Sequence, residues 1–407
     1  MRGSLIVLLA ALSMLGPLGI DMYLPALPAI SEDLSASLAT VQQTLGVYLC
    51  GLAVMMLFYG TLSDCYGRRP VVLCSTAAFA LTALWVALSG DETSLLMSRL
   101  LQGASAGAGG VVTRALIQDR HQGSEGIRAI SKVMMAFAIA PAVAPIIGGW
   151  VLTHFGWRPI FYLQAILAAA LWIWCYVSLP ETLPANKRQQ LRIRSLTAAY
   201  RQTATDTIFQ GAAASSALCF FSFSLYIGAA APFIGQILHL EVTDFGWLFV
   251  PLVLGMITGS ATSARVSRSL SRAKQLRIGF SVLLFGNALN LVVFYLPNPT
   301  VPWAVIPLGI GTFGLALINP PLLMMAVTVH QTRLGLANSL LSFESTMVFA
   351  AVSSLLAPML SHSGLTLAIG VAVASALGAI VGYLTMISDG NRATNLITAA
   401  EPDRCAN

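Results

Sequence analysis

The chain has 407 residues, of which 57% are hydrophobic and only 9% are Asp, Glu, Lys or Arg, and its mean hydropathy is +0.78. A soluble domain carries about 25% charged residues, so these few charges could not cover so large an apolar core, and a water-soluble globular enzyme and a disordered chain are both excluded. The net charge of +6 is no nucleic-acid signature either, because the basic residues fall in short clusters between long apolar runs.

A helix crossing a bilayer needs roughly 20 apolar residues. Windows of that size predict an all-α membrane protein with twelve spans, near 5–27, 42–62, 70–89, 94–117, 133–152, 159–179, 208–231, 245–264, 277–296, 302–326, 336–360 and 365–387. The first run opens on Met1-Arg2, as a secretory signal would. Its apolar stretch exceeds the ~7–15 residues of a signal peptide, so it reads as a retained helix.

With the N-terminus inside, twelve spans assign every loop a side. All lysines and arginines except Arg99 and Arg158 then fall inside, while the outer loops hold Glu32, Asp33, Asp91, Glu92, Glu241 and Asp244. This asymmetry predicts cytoplasmic termini. The cysteines, at 50, 65, 74, 175, 219 and 405, fall in the membrane or on the reducing side. They have no metal-ligand spacing, and neither a disulfide framework nor a cofactor is expected.

The longest polar interruption divides the chain into a six-helix bundle at 1–182, a cytoplasmic linker at 183–207, a second bundle at 208–387 and a cytoplasmic tail at 388–407. Thr61-Leu62-Ser63 recurs as Ser269-Leu270-Ser271, and His121-Gln122 as His330-Gln331, at offsets of 208 and 209. Two matches at nearly one offset favour a parallel repeat, with two halves related by a pseudo-two-fold around a midplane site, which is a transporter architecture.

Three ionisable residues remain inside the spans: Asp21, Arg99 and Glu344. Each costs at least ~2.5–3.5 kcal/mol at a helix centre, so each should face a cavity or a partner. By helical rise, Asp21 and Arg99 both lie roughly 8–9 Å below the outer surface. They read either as an ion pair locking two helices or as a coupling device whose separation moves a proton. Glu344 lies ~12 Å inside the cytoplasmic end of the eleventh span, bonded to a neighbouring helix or serving substrate or proton binding. The repeat mates of Glu344 and Arg99 are Met135 and Leu308, so the charge pattern is not duplicated.

The loop after the second span reads Gly60-Thr61-Leu62-Ser63-Asp64-Cys65-Tyr66-Gly67-Arg68-Arg69. It resembles the signature between helices 2 and 3 of the major facilitator superfamily. Glycines permit a tight turn, Pro70 suits the start of the next helix, and Asp64 beside basic residues forms a cytoplasmic latch, which in that superfamily stabilises the outward-open state. Cys65 stands where a basic residue is common, and the loop around Ser269–Arg277 lacks the Asp.

Arg99-Leu100-Leu101-Gln102-Gly103 is similar to the superfamily's helix 4 motif, whose arginine is linked to proton coupling. Ala144-Pro145-Ile146-Ile147-Gly148-Gly149 is similar to the helix 5 antiporter motif of drug exporters, with Pro141 and Pro145 softening the helix and Gly148 and Gly149 admitting a close neighbour. Asp21-Met22-Tyr23-Leu24-Pro25-Ala26-Leu27-Pro28 resembles the signature of the Bcr/CflA branch, the bicyclomycin and chloramphenicol resistance exporters. Gly156-Trp157-Arg158-Pro159-Ile160-Phe161 and Pro180-Glu181-Thr182 fit the same pattern.

The resemblance, over about residues 5–387, implies a proton-coupled antiporter that exports small, largely apolar drugs across the bacterial inner membrane by alternating access. It implies protons, small molecules and the lipid bilayer as partners, no cofactor, no enzymatic activity and a monomer. An exporter of an endogenous metabolite, amino acid or siderophore is the alternative. In this reading Asp21 exchanges protons, Arg99 tunes it, and Tyr23 and Glu344 contact cargo or protons. Tyr48, Met55, Phe220, Phe223, Tyr226, Phe343 and Met347 are candidates for the cargo wall.

Overall fold

Inside a bilayer no water satisfies a peptide group, so apolar runs of this length close their hydrogen bonds within helices. The computed structural model describes residues 3–120, 124–188, 193–267, 269–328 and 334–400. Arg2, both His-Gln pairs, Arg192, Arg268, Arg333, Arg404 and Cys405 lie outside the described residues. Twelve long helices follow one another: α1 Gly3–Asp21, α2 Leu38–Tyr66, α3 Arg68–Leu88, α4 Glu92–Arg120, α5 Ser124–Phe155, α6 Arg158–Ser178, α7 Thr207–Gly228, α8 Gly246–Val266, α9 Arg272–Tyr295, α10 Ile306–Thr328, α11 Leu334–Ala351 and α12 Gly364–Ala400. Among the described residues there is no strand.

Eleven of these stretches are long and apolar enough to cross a membrane. The exception is α4. Its 29 residues give a length of about 43 Å, but they include Ser98, Arg99, Gln102, Ser105 and four glycines. Ser98, Arg99, Gln102 and Gly103 are buried, so much of this helix meets protein rather than lipid and needs no lipid-like surface.

Three spans are interrupted where the sequence reads as continuous; in one of them α11 ends at Ala351 and is followed by a wide turn, Val352–Leu356, and a short helix, Ala357–Leu360. α1 stops at Asp21 instead of continuing to 27, and the chain proceeds through one 3₁₀ turn, Leu24–Ala26, and a short helix, Leu27–Asp33. Pro25, at the second position of that turn, has no N–H to continue the α ladder. α7 ends at Gly228, followed by a turn at Ala230–Pro232 and a wide turn at Phe233–Ile237. Pro25 and Pro232 are 207 residues apart, and the two broken segments touch. α12 continues past 387 to Ala400.

The two halves meet along α2 with α11 and along α5 with α8. Gly46 of α2 has no room for a Cβ beside Ser354 and the Ala350 carbonyl, and Gly149 of α5 faces the Val242 carbonyl. Along α1, α7 and α10 exposure rises towards the side of the N-terminus. No residue is exposed in α1 from Leu8 to Asp21, in α7 from Ser215 to Gly228, or in α10 from Pro307 to Ile318. Ala214, Asn319, Pro320 and Met324, nearer that side, are exposed. A cleft between the halves is therefore closed at the helix breaks and open at the opposite end.

The connector helix Ile193–Ala204 lies against α7 and α11 at the open end. Its Tyr200 hydroxyl donates to the Leu57 carbonyl of α2 at 2.9 Å, and the Ser339 side chain of α11 hydrogen-bonds the same hydroxyl. Burial holds this phenol above its ordinary pKa, against a smaller opposite effect of the Ser339 bond. One residue of the connector thus bridges the two halves.

Candidate functional site

A helix that ends inside a membrane leaves its last carbonyls without backbone donors. At the end of α1, Arg99 of α4 supplies one to Gly19, while side chains of two other helices add bonds to carbonyls that already lie in the ladder. Tyr48 Oη of α2 donates to the Gly16 carbonyl at 3.0 Å, Gln164 Nε2 of α6 to Leu18 at 3.4 Å, and Arg99 Nη2 of α4 to Gly19 at 3.0 Å. Small residues bring these helices close. A Cβ on Gly51 of α2 would strike the Leu100 carbonyl, and one on Gly103 of α4 the Tyr48 carbonyl, so α2 and α4 meet backbone to backbone.

Arg99 is wholly buried. Its guanidinium carbon lies 4.1 Å from the Tyr23 ring centroid and 4.4 Å from that of Tyr48, and Nη1 donates to Gln102 Oε1 at 2.6 Å. Gln102 Nε2 in turn donates to Gln164 Oε1 at 2.9 Å. The negative end of the α1 dipole and two π faces, rather than a carboxylate, offset the buried charge. Arg99 Nε has no hydrogen-bond partner among the described residues.

Asp21 is the last residue of α1 and is 4% exposed. Among the described residues it forms no ion pair and accepts no hydrogen bond, so the ion pair considered between Asp21 and Arg99 is absent from this structure. The two nonetheless share a neighbourhood, because Arg99 bonds the Gly19 carbonyl and lies over the Tyr23 ring, two residues to either side of Asp21.

Tyr23, considered as a cargo contact, is 1% exposed; its ring lies over Arg99 and 5.8 Å from that of Phe161, and its hydroxyl is 3.2 Å from Thr44 Oγ1. Tyr48 and Tyr226 are equally buried, and Phe223 nearly so. Met55, Phe220, Phe343 and Met347 are partly exposed. Gln164 was missed in the sequence, although a glutamine in an otherwise apolar span is itself a signal of buried bonding.

Glu344 of α11 is partly exposed and accepts from Gln210 Nε2 of α7 at 3.1 Å. The structure thus forms the bond to a neighbouring helix that was one of its two readings. Close by, Ser216 Oγ of α7 donates to Asn319 Oδ1 of α10 at 3.1 Å.

At the open end, Arg68 joins α2, α3 and α4. It bonds Asp64 Oδ1 at 2.5 Å, Ser63 Oγ at 2.6 Å and Asp119 Oδ2 at 3.1 Å. Glu181 accepts from the backbone N–H groups of Arg68 and Arg69 at 3.0 and 3.3 Å, capping α3 with a carboxylate from beyond α6. Arg69 donates to the Tyr176 carbonyl at 2.6 Å. Gly67 has φ +106°, which glycine adopts freely. Gly60 does not serve a turn: it lies within α2 with open space around it. Asp119 and Glu181 complete this cluster, and neither was assigned to it from sequence spacing.

α5 runs unbroken through Pro141 and Pro145. A Cβ on Gly148 would collide with the Met22 carbonyl, next to Asp21, and one on Gly149 would crowd the Val242 carbonyl of the other half. The glycine pair therefore touches both the break in α1 and the seam between the halves. Among the described residues no group of His, Cys, Asp and Glu could hold a metal ion.

A family model described as Major Facilitator Superfamily matches residues 9–343. The chain is 33% identical over 358 residues to the uncharacterized MFS-type transporter YdgK of Bacillus subtilis (strain 168), covering 87% of this chain and 88% of that one. It is 30% identical over 361 residues to the bicyclomycin resistance protein homolog of Haemophilus influenzae, covering 87% and 89%. A shorter match, 37% over 175 residues, spans 43% of this chain and 45% of the multidrug resistance protein MdtL of Escherichia coli O157:H7. In fold it is similar to a bacterial homologue of the human lysosomal transporter Spinster, with a TM-score of 0.76 at 14% identity over 95% of this chain and 98% of that one. The human organic anion transporter MFSD10 gives a TM-score of 0.69 at 19% identity, covering 93% and 98%. The chain is a multi-pass membrane transporter and not an enzyme, and it belongs to the Major Facilitator Superfamily, on its Bcr/CflA-like side.

Proposed function

We propose that the chain is a proton-coupled antiporter of the bacterial inner membrane that exports small, largely apolar drugs, acting as a monomer with both termini in the cytoplasm. The observation that carries this reading is the buried carboxyl of Asp21 at the broken end of α1, which has no hydrogen bond or ion pair among the described residues, near the caged guanidinium of Arg99. An intramembrane acid without a partner is free to hold or release a proton.

The two bundles, 1–182 and 208–387, rock about the seam between them. With the cleft open to the terminal side, cargo enters from the cytoplasm while Asp21 stays sealed behind the helix breaks. Rocking parts Gly149 from Val242 and separates the Pro25 and Pro232 segments, which admits water to Asp21 from the outer side. Protonation there changes the charge facing Tyr48 and Arg99, and with it the hold of Arg99 on the end of α1. Cargo leaves as protons enter.

The test is resistance to a panel of toxic compounds in an efflux-deficient bacterial strain expressing the protein, with and without a protonophore. Resistance that the protonophore abolishes, and that Asp21→Asn abolishes in a protein still inserted, is the expected result. Full resistance in Asp21→Asn would overturn the assignment of Asp21. Export restricted to one metabolite would replace drugs by an endogenous cargo.

A further inference from the structure

Two carboxylates lie within the membrane helices without a cationic partner among the described residues, and they differ in access. Asp21 is sealed, 4% exposed, at the closed end of the cleft. Glu344 is partly exposed on the open side, and the whole stretch Ser342–Val348 around it is partly exposed, so α11 is loosely enclosed there on every face. In this conformation a molecule entering the cleft reaches Glu344 before any path to Asp21 opens.

The partners of Glu344 are chemically incomplete. Oε1 accepts from the neutral amide of Gln210, and Oε2 takes no hydrogen bond among the described residues. Five other carboxylates are matched by arginines: Asp64 and Asp119 by Arg68, Asp33 by Arg158, Glu181 by Arg188 and Asp389 by Arg272. Two arginines within the membrane helices are engaged elsewhere, Arg99 between tyrosine rings and Arg114 against Met134 Sδ at 3.7 Å.

Polarizable side chains share this stretch of the cleft with the hydroxyls of Ser342, Ser345 and Thr346. Met56 of α2 contacts Thr346 Oγ1 at 3.7 Å across the seam, and Phe343 and Met347 flank the acid in sequence and are partly exposed. Deeper in the cleft the ring of Phe220 lies 5.2 Å from that of Phe223 and 5.9 Å from that of Phe349. Thioethers and aromatic faces adapt to varied apolar bodies, and aromatic faces also attract cations.

We infer that Glu344 is the charge anchor of a cargo subsite for lipophilic monovalent cations, so that the two membrane carboxylates divide the work, Asp21 for protons and Glu344 for cargo. The assignment rests on the exporter reading and narrows its substrate class. An uncharged cargo gains nothing from the acid, and an anionic one is repelled by it. A cation with an apolar body uses both the acid and the sulfur and aromatic wall.

The probes are tetraphenylphosphonium as cation and chloramphenicol as neutral compound, used with the full-length protein. Binding of tetraphenylphosphonium to detergent-purified protein, measured by equilibrium dialysis, is expected to weaken by roughly tenfold or more in Glu344→Gln, the scale of one lost charge-assisted contact, with partial retention in Glu344→Asp. In cells, Glu344→Gln should lose resistance to tetraphenylphosphonium and keep that to chloramphenicol. Equal binding by wild type and Glu344→Gln, or no binding by wild type, overturns the inference.

A readout without mutation guards against misfolding. Tetraphenylphosphonium should protect Glu344 of the wild type from labelling by a carbodiimide, and absence of protection overturns the inference. A protein that binds the cation through Glu344 yet confers resistance to neither compound supports the subsite and overturns the exporter reading instead.

Discussion

Arg99 donates to the Gly19 carbonyl at 3.0 Å, so the guanidinium of one helix terminates the hydrogen-bond ladder of another. Arginine is suited to this because its planar fork can stack between Tyr23 and Tyr48 while its two outer nitrogens reach Gly19 and Gln102. An ammonium can form the bonds but cannot fill the slot between two rings. Arg99→Lys is therefore expected to lower transport by about tenfold or more, with amounts in the membrane near those of wild type. Transport assays in vesicles at matched protein levels check it, and unchanged rates would remove the cage from the mechanism.

Asp21→Asn removes a charge from a group that makes no hydrogen bond or ion pair among the described residues. No bond is lost on substitution, so stability should change by no more than about 1 kcal/mol, measured as a shift in the detergent melting curve. Export driven by a pH gradient should stop, while energy-independent exchange of cargo across vesicles persists. Loss of both would make Asp21 a structural residue.

Gly148→Ala and Gly110→Ala form a matched pair. At 148 a methyl group meets the Met22 carbonyl of the α1 break, whereas at 110 it meets nothing within 4 Å. The first is expected to cost about 1–3 kcal/mol through forced backbone displacement and to disturb the Asp21 region. The second should be silent in melting temperature and transport, and equal behaviour of the two would contradict the packing.

At the open end, Arg68 is 8% exposed and holds two carboxylates. Asp119→Asn should destabilise by about 1–3 kcal/mol, because it leaves a buried guanidinium with a weaker partner. Asp64→Asn should slow exchange with cargo affinity largely kept. Glu181→Gln weakens the cap on α3 by about 1 kcal/mol. Melting curves paired with cargo-binding titrations separate the three.

The spans were legible because membrane length and hydrophobicity are local properties, and even the polar α4 fell within a window at 94–117, in a layout that the loop charges then fitted. The helix breaks were not. Pro25 and Pro232 stood in plain sight, but a proline in a membrane helix bends it or stops it according to what satisfies the freed carbonyls. At α1 the donor to the freed Gly19 carbonyl is Arg99, with Tyr48 and Gln164 bonding carbonyls just before it, and these residues lie on α4, α2 and α6, far from the break in sequence. The depth estimate for Asp21 and Arg99 counted along an unbroken first span; it could not show that aromatic rings and a helix end would replace the carboxylate as partners of Arg99. Gly60 and Gly67 look alike in the motif, and only the backbone separates the one that needs a positive φ from the one that does not.

Tyr200 grips α2 through a main-chain oxygen, which every residue at position 57 possesses, and α11 through the hydroxyl of Ser339, which few residues can imitate. The tie is thus insensitive to sequence on one side and strict on the other. Drift in the second helix would leave it intact, while a single change at 339 would convert a two-sided clasp into a one-sided tether.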